Sequence, residues 1–176
     1  MSLRMRHARL ALARARGFTL IELMVTLAVL VVLIAIAVPS FDGIRLSTRL
    51  SSYATALVAG TQLARSEAIK RNAPVTLCAS ANGTSCSTNG QWEAGWIVRS
   101  DTQVLRVEPA AASGYRLRAT GGASAVVFQA TGLGAGQSTI TICRANPSAD
   151  PSRAVSISAT GRTTVTRSNS VTCPAT

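Results

Sequence analysis

Residues 17–38 read GFTLIELMVTLAVLVVLIAIAV, and Glu22 is the only charge among them. A helix rising about 1.5 Å per residue from Phe18 to Val38 covers roughly 30 Å, one hydrocarbon thickness, so this run can span a bilayer. Residues 1–17 before it carry Arg4, Arg6, Arg9, Arg14 and Arg16 and no acid. The anionic cytoplasmic face of a membrane holds such a leader inside, and the chain behind it points outward.

A lone carboxylate near the end of a membrane helix costs at least about 2.5 kcal/mol to insert, so it calls for a cationic partner. Cutting the Gly17–Phe18 bond supplies one: the new α-ammonium of Phe18 lies one helical turn from Glu22, and a neighbouring copy presents the same charge. Two simpler explanations fare worse. Ala35-Ile36-Ala37 has the small-x-small look of a signal-peptidase site, but signal peptides have apolar cores of roughly 7–15 residues and gain nothing from an acid inside them. A plain single-span anchor also leaves Glu22 without a purpose.

Leader, glycine, phenylalanine, acid and uninterrupted apolar helix, in this register over residues 17–41, resemble the type IV prepilin signature of type IV pilins and type II secretion pseudopilins. The resemblance implies that a membrane-embedded prepilin peptidase cuts after Gly17 and N-methylates Phe18, which keeps the positive charge. It implies that Glu22 pairs with the N-terminal ammonium of an adjacent subunit during assembly. It also implies partners: other pilins or pseudopilins, the peptidase and an inner-membrane assembly platform. The expected location is the bacterial inner membrane, single-pass with a periplasmic head, and then a periplasmic pseudopilus or an extracellular pilus.

The domain plan that follows is a cleaved leader over 1–17, a transmembrane and filament-core helix over 18–39, an amphipathic helix half over 40–73 and a β-rich head over 74–176. Net charge is +11 for the whole chain; without the five leader arginines the basic count falls from 18 to 13 against 7 acids, a net of +6. Cys78, Cys86, Cys143 and Cys173 all lie beyond the anchor, where an oxidising periplasm favours two bridges. Three pairings are open, and sequence alone does not choose between them. We favour Cys78 with Cys86 across the Asn82-Gly83 turn, and Cys143 with Cys173, closures worth about 2.5 and 3.5 kcal/mol in loop entropy.

Pro39 is expected to kink the apolar helix just outside the bilayer. A second helical stretch then runs to about Asn72, with Leu50, Tyr53, Leu57, Ala64 and Ala68 at helical spacing and Glu67 and Arg71 as an i,i+4 pair. Lys70 and Arg71 suit the end of a helix dipole, and Pro74 closes the segment. Beyond residue 75 the pattern becomes short β-branched runs broken by glycine. Strands are expected over 75–79, 95–99, 104–107, 115–119, 125–129, 139–143, 154–159 and 163–167, with turns at Asn89-Gly90, Gly121-Gly122, Gly132 to Gly136 and Thr160-Gly161. The fold class is therefore α+β, type IV pilin-like: a long N-terminal helix whose C-terminal half packs on an antiparallel sheet.

Val75-Thr76-Leu77-Cys78, Cys86, Trp92-Glu93-Ala94-Gly95-Trp96-Ile97-Val98 and the late Gly161-Arg162 resemble the head of the H-type pseudopilins (type II secretion GspH) and of the FimT/FimU minor pilins. Gly95 and its apolar neighbours read as a buried strand entry, which makes Trp92 and Trp96 core residues in preference to a ligand platform. Catalysis finds no purchase. The single histidine, His7, lies in the leader, no Cys-x-x-Cys or thiolate-histidine set exists for a metal, and the acids Asp42, Glu67, Glu93, Asp101, Glu108 and Asp150 follow no motif. No cofactor is expected.

The expected function is that of a structural minor pilin or pseudopilin. The alternative is a FimT-like minor pilin that binds double-stranded DNA non-specifically during natural transformation. From Gly114 onward six arginines stand against Asp150 alone, and Arg116, Arg118, Arg153, Arg162 and Arg167 are the candidate phosphate contacts. The DNA-binding relatives are associated with Gly-Arg-x-Arg, whereas Gly161-Arg162-Thr163-Thr164 has threonine at the second arginine. Arg167 replaces it only if a bulge or loop brings it back beside Arg162, because five residues along a regular strand reverse the face.

Overall fold

The computed structural model describes residues 17–145, 150–171 and 173. By internal packing the chain divides after Asp42 into two units. One helix, α1 (Leu20–Arg71), runs from the first unit into the second. α1 continues as helix through Pro39; the Pro39 side chain, on which the expected kink rests, lies outside the described ones.

Both ends of α1 follow from local chemistry. Thr19 caps the start: its Oγ1 accepts the Glu22 N–H at 3.3 Å, the first half of a Thr-x-x-Glu capping box. At the other end Asn72 adopts φ +49°, its N–H donates to the Ile69 carbonyl, and the Ala73 N–H donates to the Ala68 carbonyl, both at 3.2 Å. That pair of bonds is a Schellman stop, and Pro74 prevents resumption.

In the second unit the helix buries Leu46, Leu50, Ala54, Leu57, Thr61, Ala64 and Ala68, a stripe of three- and four-residue steps. Tyr53 is only half-buried; its hydroxyl accepts the Ala112 N–H at 2.9 Å and its ring meets Tyr115 edge-on at 5.5 Å between centroids. The small side chains toward the C-terminal half allow β-structure to come close.

The head strands are β1 (Val75–Ala79), β2 (Trp96–Arg99), β3 (Val104–Glu108), β4 (Tyr115–Ala119), β5 (Ala125–Phe128), β6 (Gly134–Ala135), β7 (Ser138–Arg144), β8 (Asp150–Ile157) and β9 (Thr163–Val171). They form two antiparallel sheets in place of the single expected one, in the orders β3-β2-β1-β5-β6 and β4-β7-β8-β9. The division follows the pairing of β4 with β7 while β5 returns to β1, with the Gly121-Gly122 turn, both glycines at positive φ, passing the chain from one sheet to the other. β6 falls inside the expected Gly132–Gly136 turn; two residues are too few for a periodic signal. β8 begins at Asp150, earlier than expected, past a register shift beside Pro151, and β9 runs on through polar residues to Val171. One core contains the helix stripe with Val75, Leu77, Trp92, Trp96, Val98, Leu117, Phe128, Ile140, Ile142, Val155 and Ile157.

Candidate functional site

The first candidate site is the start of α1. Phe18 is 79% exposed, and none of the apolar stretch that follows is buried in the protein. Apolar side chains that find no cover inside the fold require it from outside, from lipid or from other helices. Glu22, in the first turn, complements the positive end of the helix dipole. The leader arginines and His7 lie outside the described residues.

The bridges are Cys78–Cys86 and Cys143–Cys173, with Cα–Cα separations of 5.5 and 5.7 Å. The first closes a loop in which Asn82 Oδ1 accepts the N–H groups of Thr84 and Ser85. The second ties Cys173, beyond the end of β9, to the inner strand β7. With all four sulfurs bridged, the described residues contain no group of His, Cys, Asp and Glu able to hold a metal.

The Trp-Glu-Ala-Gly-Trp segment is structural. Trp92 is buried and its Nε1–H donates to the Ala123 carbonyl at 2.8 Å. Trp96 is buried against Gly60 of α1. Glu93, one of the acids that follow no motif in sequence, takes Arg118 Nη2 on one oxygen at 2.7 Å and the Leu117 N–H on the other at 3.4 Å. It fastens the short 3₁₀ turn Trp92–Ala94 to β4. Only its position inside the tryptophan motif signalled this role.

The five candidate DNA arginines do not form one strip. Arg116 and Arg118 stand opposite Cys143 and Thr141 of β7, and Arg118 is taken up by Glu93. Arg162, before β9, lines a shallow groove with Thr139, Ser156 and Thr164. Arg153 and Arg167 line another, between α1 and β9. Register between β8 and β9 is unbroken from Thr163 to Ser168, so no bulge turns Arg167 back toward Arg162. Gly161 before it makes a tight turn: φ is +72°, its N–H donates to the Ser158 carbonyl, and a Cβ there would stand 2.6 Å from the Gly132 carbonyl oxygen.

Arg153 is only 4% exposed. Nη1 donates to the Ser152 carbonyl and Nη2 to Ser47 Oγ, each at 3.0 Å, while the buried Nε has no partner. Burial, and then the charge of Arg167, push its pKa below the usual guanidinium value. On the helix, Arg71 and Lys70 hydrogen-bond Glu67 and hold its carboxyl below the usual glutamate range.

A family model described as type II transport protein GspH matches residues 53–161. A second, the prokaryotic N-terminal methylation motif, matches residues 12–38. Among solved structures the chain is similar to the type IV minor pilin FimU of Pseudomonas aeruginosa (strain PAO1) in two crystal forms. One has 25% identity and a TM-score of 0.55, covering 66% of this chain and 92% of that one. The other has 23% identity and a TM-score of 0.57, covering 68% and 90%, a likeness of fold alone. Curated protein sequences yield no match.

Proposed function

Because the chain belongs to the type II transport protein GspH family, we propose that it is a structural minor subunit of a type II secretion pseudopilus or a type IV pilus, working by assembly and not by catalysis. It is carried by the inner membrane with its head in the periplasm. The prepilin peptidase removes residues 1–17 and methylates Phe18, the assembly platform lifts the subunit, and Glu22 meets the ammonium of a neighbour.

The observation that carries this reading is an apolar helix surface with no cover from the protein's own fold, broken by one acid at its outset. Desolvating that acid is costly alone and offset by an N-terminal charge on the next subunit. A non-catalytic role is supported by how these acids are engaged: Glu67 of α1 and Glu93 and Glu108 of the head each sit in an ion pair with an arginine. The dispersal of the head arginines over separate surfaces favours a structural subunit over a DNA receptor.

The test is co-expression with a prepilin peptidase and a filament system. Mass spectrometry should find a mature chain starting at N-methylated Phe18, and Glu22→Ala should still be cleaved but incorporate poorly. Normal incorporation of Glu22→Ala would remove the pairing with the neighbour's ammonium.

A further inference from the structure

We infer that the groove between α1 and β9 is a carboxylate-binding site, built to take one glutamate or aspartate side chain from a neighbouring protein subunit. Arg153 forms its floor and Arg167 its rim; Ser51, Thr55 and Val58 of the helix and Val165 of β9 complete the walls, around a volume of about 270 Å³.

Arg153 and Arg167 are register partners on adjacent strands. Like charges directly opposite on a sheet repel, and a guanidinium as enclosed as Arg153 is costly unless a counter-charge meets it. Elsewhere in this head an enclosed guanidinium has one: Arg118 meets Glu93 at 2.7 Å. Arg153 has only the neutral oxygens of Ser152 and Ser47, and neither it nor Arg167 makes a salt bridge with a carboxylate among the described residues. The sheet thus holds two positive charges together at the mouth of a cleft.

The shape selects the kind of anion. Val58 and Val165 suit the methylenes of an acidic side chain, Ser51 and Thr55 add hydroxyl donors, and two guanidiniums make charge-assisted bonds to a carboxylate. A duplex phosphate is held on a wide backbone that does not follow a side-chain-sized cleft to the level of Arg153. The site's preference for a carboxylate stands independently of the proposed function; that a neighbouring subunit supplies it rests on the assembly reading.

The experiment is a titration of the full-length protein in a non-ionic detergent, observing the arginine Nε–H signals by NMR. The probes are an acetylated Gly-Glu-Gly amide, its Gly-Gln-Gly counterpart, inorganic phosphate and a short DNA duplex. The glutamate peptide should move the Arg153 and Arg167 signals along one saturating curve, and the glutamine peptide should not. Arg167→Gln, at an exposed position, should weaken that response roughly tenfold, the loss of one charge-assisted contact. Arg153→Met should abolish it while leaving the thermal midpoint unchanged or higher, because a buried unpaired charge is removed. Absence of any response, an equal response to the glutamine peptide or to phosphate, a response to the duplex alone, or a full response in either variant would overturn the site. None of these readouts requires a filament, so its failure is separate from failure of the assembly reading.

Discussion

The indole of Trp96 stands directly on Gly60: a Cβ at position 60 would lie 2.6 Å from ring carbon Cζ3 and 2.7 Å from Cη2. A mid-helix glycine costs about 1 kcal/mol relative to alanine, and here it makes room for a buried ring that also carries the Arg106 guanidinium 5.5 Å from its centroid. Gly60→Ala should therefore lower stability by about 1–3 kcal/mol, the usual range for overpacking, despite the better helix propensity of alanine. Thermal unfolding followed by circular dichroism checks this; an unchanged or higher midpoint would show that the ring yields freely.

Glu93 is the only described carboxylate within bonding distance of Arg118, and it also accepts the Leu117 N–H. Glu93→Ala strands an arginine whose Nε is already buried without a partner. The expected loss is about 2 kcal/mol, typical of removing hydrogen bonds to a charged group. Amide hydrogen exchange should rise first in β4 and in the turn over 92–94, and protection unchanged there would contradict the role given to Glu93.

Acid should loosen the end of α1. The folded-state pKa of Glu67 is depressed by Arg71 and Lys70, so its contribution is present above the unfolded carboxylate pKa and is lost as pH falls through the depressed folded value. A carbon-detected titration should place the Glu67 midpoint below that of an ordinary glutamate. Arg71→Gln should return it most of the way, and a midpoint already ordinary in the parent protein would sink the prediction.

The two bridges differ in the span of chain they close, 8 residues for Cys78–Cys86 and 30 for Cys143–Cys173. Replacing the second pair with serine should cost more, about 3.5 kcal/mol against about 2.5 kcal/mol, on loop entropy. Denaturant unfolding of the two double variants measures the order, and the reverse order would show that native packing outweighs chain entropy.

Retention of duplex DNA by the full-length protein across a salt series is expected to be weak and indifferent to Arg162→Ala with Arg167→Ala, because the two side chains line different grooves. Binding that falls steeply with salt and disappears in the double variant would make the protein a DNA-uptake pilin.

Much was legible along the chain because it depends on neighbours in sequence. The apolar run with its single acid, the 3.6-residue stripe of α1, the stop at Asn72 to Pro74 and most strand positions rest on local periodicity and turn chemistry. The signature residues Gly17, Phe18 and Glu22 could be picked out for the same reason, since they lie within six positions of one another. What only the tertiary structure decided was long-range pairing. The two-sheet division depends on β5 returning to β1, and the role of Glu93 on its reaching β4 from 24 residues upstream of Leu117. Sequence named five arginines as candidate phosphate contacts and made the meeting of Arg162 and Arg167 depend on a bulge; unbroken register between β8 and β9 set Arg153 opposite Arg167 and left Arg162 in a separate groove. A strand's period dictates which face a residue takes, but which strand stands beside it, and so which charge meets which, is determined by packing across the whole core.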